Sequence, residues 1–418
     1  MRTASAVTSP SICSCQYVRD TALGNSTLIS PSSLRCSAAP ARRVATSPSF
    51  GVLSTYPPTR CGLATFSAAL ADGLSVHGAD ISVVRVADGS PAADPRIIGE
   101  LVSDSPASVA AAAQLLNRSD VAIVQHEYGI YGGPDGDDVV DVLAGLTVPS
   151  IVVAHTVLKD PTPHQRSVLE AVAALADQMV VMSEAASQRL RLGFDVDPRK
   201  VVTISHGAFV PPDLASPARQ DRPTLLTWGL LGPGKGIERV IDAMVALHEL
   251  PSRPHYVVAG RTHPKVLAAE GESYREARAE QARRRGVAGS VSFDAGYRDR
   301  ASLTRLAQAS AVVVLPYDST DQVTSGVLVD AIATGRPVVA TAFPHAVELL
   351  ASGAGAVVAH DDPDALAATL HTLLTKPDIA EAMAAEAIRL APTMAWPVVA
   401  NAYLDVSRSL LAQRGALV

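Results

Sequence analysis

Two apolar runs that flank a polar loop and a short apolar helix place the strongest constraint on the fold. The runs cover residues 311–315 (AVVVL) and 337–340 (PVVA), and both are typical of buried parallel strands. The helix between them begins near Ser325 and Gly326 and ends at Gly335. Because parallel strands need a crossover connection, this segment predicts a strand–loop–helix–strand unit.

The start of this helix is predicted to be a ligand site. In an open α/β sheet, the loop after a strand lies at the carboxyl edge, where ligands bind. The free N–H groups and the positive dipole end of a helix at that edge suit a phosphate or a polyol. Val327 and Leu328 are apolar, so they offer backbone N–H groups without competing side-chain chemistry. We therefore expect Ser325, Gly326, Val327 and Leu328 to bind a ligand.

The same alternation of strands and helices extends over most of the chain. A first series of expected strands covers residues 50–54, 81–86, 121–125, 151–154, 179–182 and 201–204, with helices at 63–77, 106–117, 138–146, 164–176 and 184–192. A Pro-rich stretch at 206–223 interrupts the pattern. A second series has expected strands at 224–228, 255–259, 290–293, 311–315, 337–340 and 355–358, with helices at 236–249, 272–286, 299–309, 363–375, 377–390 and 397–413. This alternation predicts an α/β protein with two doubly wound parallel-sheet domains.

The length and composition of the chain agree with two domains and exclude some classes of partner. The 418 residues are too many for one ordinary domain, and an apolar content of 48% supplies two cores. The net charge of −6 gives no general attraction to nucleic acid. No apolar run approaches the roughly 20 residues of a membrane span, although peripheral contact with a membrane stays open.

The first 47 residues differ from the rest of the chain. They are rich in Ser, Thr, Pro and Ala and contain one acid, Asp20, without a helix or strand period. We expect residues 1–47 to be a disordered tail, and an organelle transit peptide or a start codon placed too far upstream stay open as alternatives. Cysteines occur at positions 13, 15, 36 and 61, without the spacing of a complete zinc site, so we expect a reducing, cytoplasmic compartment.

Each predicted domain begins with a strand, a glycine-containing loop and a helix. In the first domain, Gly62 would let the backbone approach a ligand closely, although turn geometry explains this glycine equally well. In the second domain, residues 229–236 (GLLGPGKG) place glycines on both sides of Lys235 just before a helix. This is neither the Walker nor the GxGxxG pattern, but a lone cation in such a loop favours a phosphate partner.

Polar side chains follow several strands of the first series. His126 and Glu127 follow the strand at 121–125, and His155 follows the strand at 151–154. Because the carboxyl ends of parallel strands lie at one edge of a sheet, these side chains are expected to line a cleft. No pair has metal-ligand spacing on a helix, so no metal site is expected.

These features resemble the retaining glycosyltransferases of the GT-B fold, and most closely the group 1 proteins of family 4. The resemblance rests on the loop GPGKGIE, the segment GVLVDAIATGRPVVAT and the two-domain plan, and it covers residues 49–418. It implies two Rossmann-like domains, at 48–210 and 211–395, that face a central cleft. The last segment, 396–418, would cross back as a helix to the first domain.

The resemblance also implies roles for residues around the cleft. In the family, two glutamates flank the glycine-rich helix start, and they contact the transferred sugar and the nucleotide ribose. Gln322 and Asp330 stand at these two positions here. His155 would lie close to the donor sugar, and Gly62 would lie close to the diphosphate.

The sugar-nucleotide loop of the family places an Arg after its first glycine and a Lys further on. Here Gly229 is followed by Leu230, and Lys235 occupies the Lys position. Arg261, after the strand at 255–259, is a candidate for a relocated cation.

By this resemblance, the protein is expected to be a cytoplasmic hexosyltransferase. It would move a hexosyl group from a nucleotide sugar, such as GDP-mannose or UDP-glucose, to a glycan, lipid or small-molecule acceptor, with retention of configuration. His155, Gln322 and Lys235 would act in catalysis without a metal or another cofactor, and His126 and Glu127 would lie on the acceptor side. A nucleotide-sugar epimerase, a sugar phosphorylase and a catalytically weakened sugar-nucleotide-binding protein are the alternatives with the same fold.

Overall fold

The computed structural model describes residues 47–215, 221–296 and 298–415. The tail that was expected to be disordered lies outside the described residues, except for its last residue. Within the described part, the chain forms two parallel β-sheets, of seven and six strands. The predicted fold class of two doubly wound α/β sheets is therefore confirmed.

The first sheet is formed by the strands before residue 204. Its strands are β1 (Phe50–Ser54), β2 (Ile81–Val86), β3 (Ile97–Leu101), β4 (Val121–His126), β5 (Ser150–Ala154), β6 (Gln178–Val181) and β7 (Val201–Thr203). They pair in parallel in the order β3-β2-β1-β4-β5-β6-β7. The helices are α1 (Gly62–Val76), α2 (Pro106–Leu116), α3 (Asp138–Ala144), α4 (Pro163–Leu175) and α5 (Glu184–Gly193). The strand order reverses between β1 and β4, which creates a switch point.

The second sheet has the same design. Its strands are β8 (Thr224–Trp228), β9 (His255–Ala259), β10 (Val291–Asp294), β11 (Val312–Leu315), β12 (Val338–Thr341) and β13 (Gly355–Val358). Their order is β10-β9-β8-β11-β12-β13, so the switch point lies between β8 and β11. The helices are α6 (Ile237–Leu247), α7 (Pro264–Glu270), α8 (Ser273–Arg284), α9 (Arg300–Gln308), α10 (Gly326–Ala333), α11 (Pro344–Leu350), α12 (Pro363–Thr375) and α13 (Pro377–Met394).

The sequence pattern missed three short elements, β3, α7 and α11. Strand β3 pairs with β2 at the edge of the first sheet, and its burial alternates along the strand, so few of its residues reach the core. Helix α7 spans seven residues and buries none of them. Helix α11 also spans only seven residues. Each element is too short or too exposed to produce a readable apolar period.

A last helix, α14 (Trp396–Gly415), packs along α1 of the first sheet. The two helices approach closely at Gly73, where an added Cβ would lie 2.8 Å from the carbonyl oxygen of Trp396. Tyr403 and Leu404 of α14 are fully buried in the core on the same face of the sheet. The end of the described chain therefore contributes to the core of the first sheet.

The loop before α10 is held by hydrogen bonds to the first half of the chain. Ser183 Oγ donates to the carbonyl oxygen of Val323 at 2.6 Å, and Arg189 Nη1 donates to that of Asp321 at 2.6 Å. The carboxylate of Glu348 accepts hydrogen bonds of 2.9 Å from the first two backbone N–H groups of α5. The first two contacts fix the loop, and the contact of Glu348 fixes α11 (Pro344–Leu350), relative to the first sheet.

Candidate functional site

A cavity of about 520 Å³ opens between the carboxyl edges of the two sheets. From the first sheet it is lined by Gly62 and Phe66 of α1 and by His155, which follows β5. From the second sheet it is lined by Gly326 and Asp330 of α10. Helix α1 follows β1 and α10 follows β11, so the switch points of both sheets face one cavity.

Helix α10 presents two backbone N–H groups to this cavity. Gly326 and Val327 are the first residues of the helix, and their N–H groups make no hydrogen bond to the described residues. Ser325 caps the helix, because its Oγ accepts the N–H of Leu328 at 3.3 Å. The N–H of Ser325 itself donates to His345 Nδ1 at 2.8 Å. Of the four predicted donors, Gly326 and Val327 are thus the ones open to a ligand, while Ser325 and Leu328 shape the helix start.

The glycine that opens α10 makes room for a histidine of the first half of the chain. A Cβ at Gly326 would lie 2.8 Å from His206 Nε2, which is closer than Cβ atoms approach other heavy atoms in proteins. His206 lines the cavity, and its Nδ1 is 2.6 Å from the carbonyl oxygen of Gly207. Burial lowers the pKa of His206 to about 4, so the ring is neutral at neutral pH.

Asp330 lines the cavity from the second turn of α10. Burial raises the pKa of Asp330 to about 7, and the nearby Arg300 opposes this rise. The carboxyl group therefore exchanges between its protonated and charged forms at neutral pH, and both forms can hydrogen-bond to a hydroxyl group.

His155 is held in a fixed orientation beside the cavity. Its Nε2 lies 2.6 Å from Gln125 Oε1, which is an acceptor, so Nε2 carries the proton. The ring of Phe66 packs edge-on against it, with 4.7 Å between ring centroids. Burial, with the neighbouring His206 and His126, lowers the pKa of His155 to about 3. The imidazole is therefore neutral, and its Nδ1 is a hydrogen-bond acceptor.

The two predicted acceptor-side residues differ in exposure to the cavity. Glu127 lines it and accepts a hydrogen bond from Thr156 Oγ1. Burial raises the pKa of Glu127, against the effects of Thr156 and Lys265. His126 lines neither of the cavities described here and is 1% exposed. Its ring packs edge-on against Tyr128, and neither ring nitrogen has a partner among the described residues.

Lys235 lies outside the cavity lining. Its Nζ is 4.4 Å from the centroid of the Tyr317 ring, which is a cation–π contact. Burial lowers the pKa of Lys235. The loop that carries it packs against the loop after β11, because a Cβ at Gly236 would lie 1.7 Å from the carbonyl oxygen of Pro316.

Gln322 also lies outside the cavity lining. Its side-chain Nε2 donates to the carbonyl oxygen of Thr324 at 3.0 Å. Its own carbonyl oxygen accepts the N–H of His345 at 3.3 Å. The side chain therefore stabilises the loop before α10 in this structure, and a contact with a sugar requires that it rotate.

A second cavity, of about 470 Å³, adjoins the first. It lies beside the loops that follow β8 and β9, and it is lined by Gly229, Leu230 and Arg261. Gly62 and Trp228 line both cavities, so the two form a continuous cleft.

Sequence reasoning missed several residues of this cleft. Arg298 lines it from the segment that joins β10 to α9, Arg300 from the start of α9, and Trp228 from the end of β8. The rule that side chains after a parallel strand meet at the carboxyl edge points to Arg298, in the loop after β10. Trp396 reaches the cleft because α14 packs on the first sheet.

No cluster of three or more His, Cys, Asp or Glu side chains in the described ranges has an arrangement that could hold a metal ion. Among the described helices, none is long and apolar enough to cross a membrane.

Comparisons with known proteins identify the family. The model of the family described as glycosyl transferases group 1 matches residues 222–376. A D-inositol 3-phosphate glycosyltransferase of Kineococcus radiotolerans is 31% identical over 309 residues, which are 64% of this chain and 68% of that protein.

Solved structures show the same fold. A sucrose-phosphate synthase from Thermosynechococcus elongatus superimposes with a TM-score of 0.68 at 16% identity, over 87% of this chain and 99% of that one. HepE of Anabaena, solved in complex with UDP, gives a TM-score of 0.67 at 17% identity, over 86% of this chain and 100% of that one. The two facing parallel-sheet halves thus form a GT-B fold, and the predicted enzyme class, a glycosyltransferase, is confirmed. This chain belongs to the group 1 glycosyltransferases.

Proposed function

We propose that the protein is a retaining, metal-independent glycosyltransferase of family 4. It would move a hexosyl group from a nucleoside diphosphate sugar to a hydroxyl group of an acceptor. The observation that carries this proposal is the first cavity, where the open N–H groups of Gly326 and Val327 lie with Asp330, Gly62 and His155. The start of a helix suits a diphosphate, and a carboxyl group one helical turn further on suits the ribose that is joined to it.

The donor would lie along α10. The ribose hydroxyls would bond to Asp330, and the diphosphate would approach the N–H groups of Gly326 and Val327. HepE of Anabaena was also solved in complex with UDP and glucose, which supports a nucleotide sugar as the donor for this chain.

Positive charge near the diphosphate would stabilise the leaving group as its negative charge develops. Arg298 and Arg300 line the first cavity, and Arg261 lines the second. Lys235 would reach the phosphate if its flexible side chain leaves the ring of Tyr317. These three arginines and Lys235 would thus take the place of the family's Arg–Lys pair, whose Arg position is occupied here by Leu230.

The sugar would lie between the two sheets during transfer. Neutral His155 would accept a hydrogen bond from a sugar hydroxyl at Nδ1, while Gln125 holds the ring in place. Gln322 would bond to the sugar after rotating away from Thr324. Enclosure of the cleft would exclude water and so favour transfer over hydrolysis.

The acceptor would enter beside Glu127, which faces the cavity from the first sheet. The curated relative is named for an inositol phosphate acceptor. A phosphorylated polyol is therefore the first acceptor class to test for this chain.

The proposal is tested by incubating the protein with UDP-glucose or GDP-mannose, a panel of acceptors and a chelator. Proton NMR of the first product, before any rearrangement, reports its anomeric configuration. The expected result is an α-glycoside formed from the α-linked donor. A β-glycoside would contradict retention, and a new sugar epimer formed without acceptor would indicate an epimerase instead.

A further inference from the structure

We propose that His206 binds the diphosphate of the donor as an imidazolium, so that donor binding takes up a proton from solution. This inference rests on the proposed function, because it adds a charged group to the proposed diphosphate site. It makes the affinity for the donor depend on pH in a defined direction.

The ring of His206 lies against the start of α10. A Cβ at Gly326 would lie 2.8 Å from Nε2 and 3.0 Å from Cε1 of His206, so this edge of the ring faces the helix start. Because a Cβ atom is one bond of about 1.5 Å from its Cα, Nε2 lies within roughly 4.3 Å of the Gly326 Cα. An anion bound to the open N–H groups of Gly326 and Val327 would therefore lie beside Nε2.

The tautomer of His206 leaves a lone pair at this position. Its Nδ1 is 2.6 Å from the carbonyl oxygen of Gly207, which is an acceptor, so Nδ1 carries the proton. Its Nε2 makes no hydrogen bond to the described residues, and the ring lines the first cavity. A lone pair repels a phosphate oxygen, whereas an N–H at Nε2 would donate a charge-assisted hydrogen bond to it. A bound diphosphate therefore favours the protonated ring.

The two arginines that line the first cavity are engaged by other groups. Arg298 Nε donates to the carboxylate of Asp294 at 2.7 Å. Arg300 lies over the ring of Phe209, with 5.5 Å from its Cζ to the ring centroid. A protonated His206 would supply a positive charge at the start of the helix, where these two guanidinium groups make no described contact.

Several titratable groups face His206 or the cavity that it lines. They are His155 after β5, His345 on α11, Asp330 on α10 and Glu127 after β4. The other rings packed against His206, those of Phe66 and Trp396, carry no charge. Negative charge on either carboxylate would stabilise an imidazolium in this cavity.

The neighbouring histidines are less suited to take up the proton. Burial, together with His206 and His126, lowers the pKa of His155 to about 3. His345 uses its Nδ1 to accept the backbone N–H of Ser325 at 2.8 Å, so a second proton on that ring would break this hydrogen bond. His206 is thus the histidine at the helix start whose free nitrogen can be protonated without loss of a described contact.

The direction of the pH dependence follows from linkage. In the free protein, burial lowers the pKa of His206 to about 4, with His345 contributing and the hydrogen bond to Gly207 opposing. A diphosphate beside Nε2 raises this pKa, because a nearby negative charge favours the charged form. Between the two pKa values the free ring is neutral and the bound ring is charged, so binding takes up a proton. The affinity for the donor should therefore increase as pH falls through the pKa of the complex.

The test is calorimetric titration of the full-length protein with UDP-glucose and GDP-mannose, without an acceptor. The phosphates of nucleotide sugars have no group that titrates near neutral pH, so the protons counted belong to the protein. Titrations at about pH 6.5, in buffers with different ionisation enthalpies, give the number of protons taken up. The variant His206→Gln keeps a neutral amide near the position of Nε2, and the matched control His371→Gln removes an exposed histidine of α12.

We expect His206→Gln to take up about one proton fewer per bound donor than the parent protein, and His371→Gln to match the parent. The same difference should appear when both proteins also carry Asp330→Asn, which removes the carboxyl group that titrates in this cavity. The affinity of the parent should fall several-fold per pH unit as pH rises from about 5.5 to about 7, and His206→Gln should lose most of this fall.

The proposal is overturned if His206→Gln and the parent take up equal numbers of protons, or if the difference disappears with Asp330→Asn. Absence of proton uptake by Asp330→Asn alone also overturns it, and this result does not depend on the folding of His206→Gln. If neither nucleotide sugar binds the parent, the proposed donor is wrong, and inorganic pyrophosphate is titrated instead. Absence of pyrophosphate binding, or equal proton uptake by the parent and His206→Gln, then overturns the role of His206.

Discussion

Asp330 gives the cleft a group that titrates near neutral pH. Its pKa is raised by burial from 3.8 to about 7. Protonation of this group stabilises the folded state fully below the unfolded pKa, and this contribution is lost as pH rises through the folded pKa. We therefore expect the free energy of unfolding to fall between about pH 4 and about pH 7, and Asp330→Asn to reduce that fall. Urea denaturation at several pH values measures it.

The control for this prediction is Glu381→Gln, which removes an exposed carboxylate on α13. This variant should have the same pH dependence of the free energy of unfolding as the parent protein. An Asp330→Asn variant with the parent slope would show that this carboxyl group titrates at its ordinary pKa.

Lys235 lies outside the cavity lining, so a substitution at this residue tests whether its positive charge reaches the leaving group. Lys235→Ala should weaken binding of a nucleoside diphosphate by roughly 1.5–3 kcal/mol, the range of a charge-assisted hydrogen bond, and leave binding of the free nucleoside unchanged. Transfer should slow by a larger factor, because charge on the leaving oxygen grows in the transition state. Calorimetry gives the change in binding free energy, and initial rates give the change in transfer rate. The control is Lys376→Ala, which removes an exposed lysine. Equal losses for nucleoside and diphosphate would mean that Lys235 acts only by packing on Tyr317.

Among the helices and strands, the start of α10 is the feature on which the proposed donor site depends. Gly326→Ala places a Cβ 2.8 Å from His206 Nε2, so either the helix start or the histidine must move. We expect weaker nucleoside diphosphate binding, measured by calorimetry, because the N–H groups of Gly326 and Val327 would be displaced. Gly289→Ala is the control, since an added Cβ there meets nothing within 4 Å. Parent-like affinity in Gly326→Ala would remove α10 from the proposed phosphate site.

The sequence predicts well those helices and strands in which the pattern of apolar residues extends over enough positions to be recognised. The buried strand β11 and the helix α10 were predicted close to their observed bounds, because each is almost wholly apolar. Edge strand β3 and the exposed helix α7 were missed, because tertiary contacts and not an apolar pattern fix them.

The site was predictable to the extent that it follows from strand ends. His155, Glu127 and Gly326 were placed at a cleft by their positions after strands or at a helix start, and Asp330 was placed there by the family resemblance. All four line the first cavity. The orientation of Lys235 toward the Tyr317 ring follows from packing between loops distant in sequence, which no local pattern records.

For the whole molecule, the contact between Ser183 and the loop before α10 links the two halves of the cleft. Ser183 Oγ donates to Val323 and also caps α5 by accepting the N–H of Ala186. Ser183→Ala should therefore lower the free energy of unfolding by about 1 kcal/mol through loss of the cap, and also loosen the cleft. The second effect should appear as a larger radius of gyration in solution scattering.

Ser105→Ala is the matched control, since Ser105 caps α2 by accepting the N–H of Ser108 and has no partner among the described residues of the second half of the chain. It should lose similar stability without a change in radius of gyration. Identical scattering from both variants would show that the Ser183 contact does not hold the cleft together.

The central claim is that the cleft between the two sheets binds a nucleoside diphosphate sugar through α10. Calorimetric titration of UDP and GDP, and of uridine and guanosine, into the parent protein and Asp330→Asn tests it most directly. We predict that one diphosphate binds the parent about ten-fold or more tightly than its nucleoside, and that Asp330→Asn weakens both. Absence of binding by either diphosphate, or an Asp330→Asn variant that binds like the parent, would contradict this account.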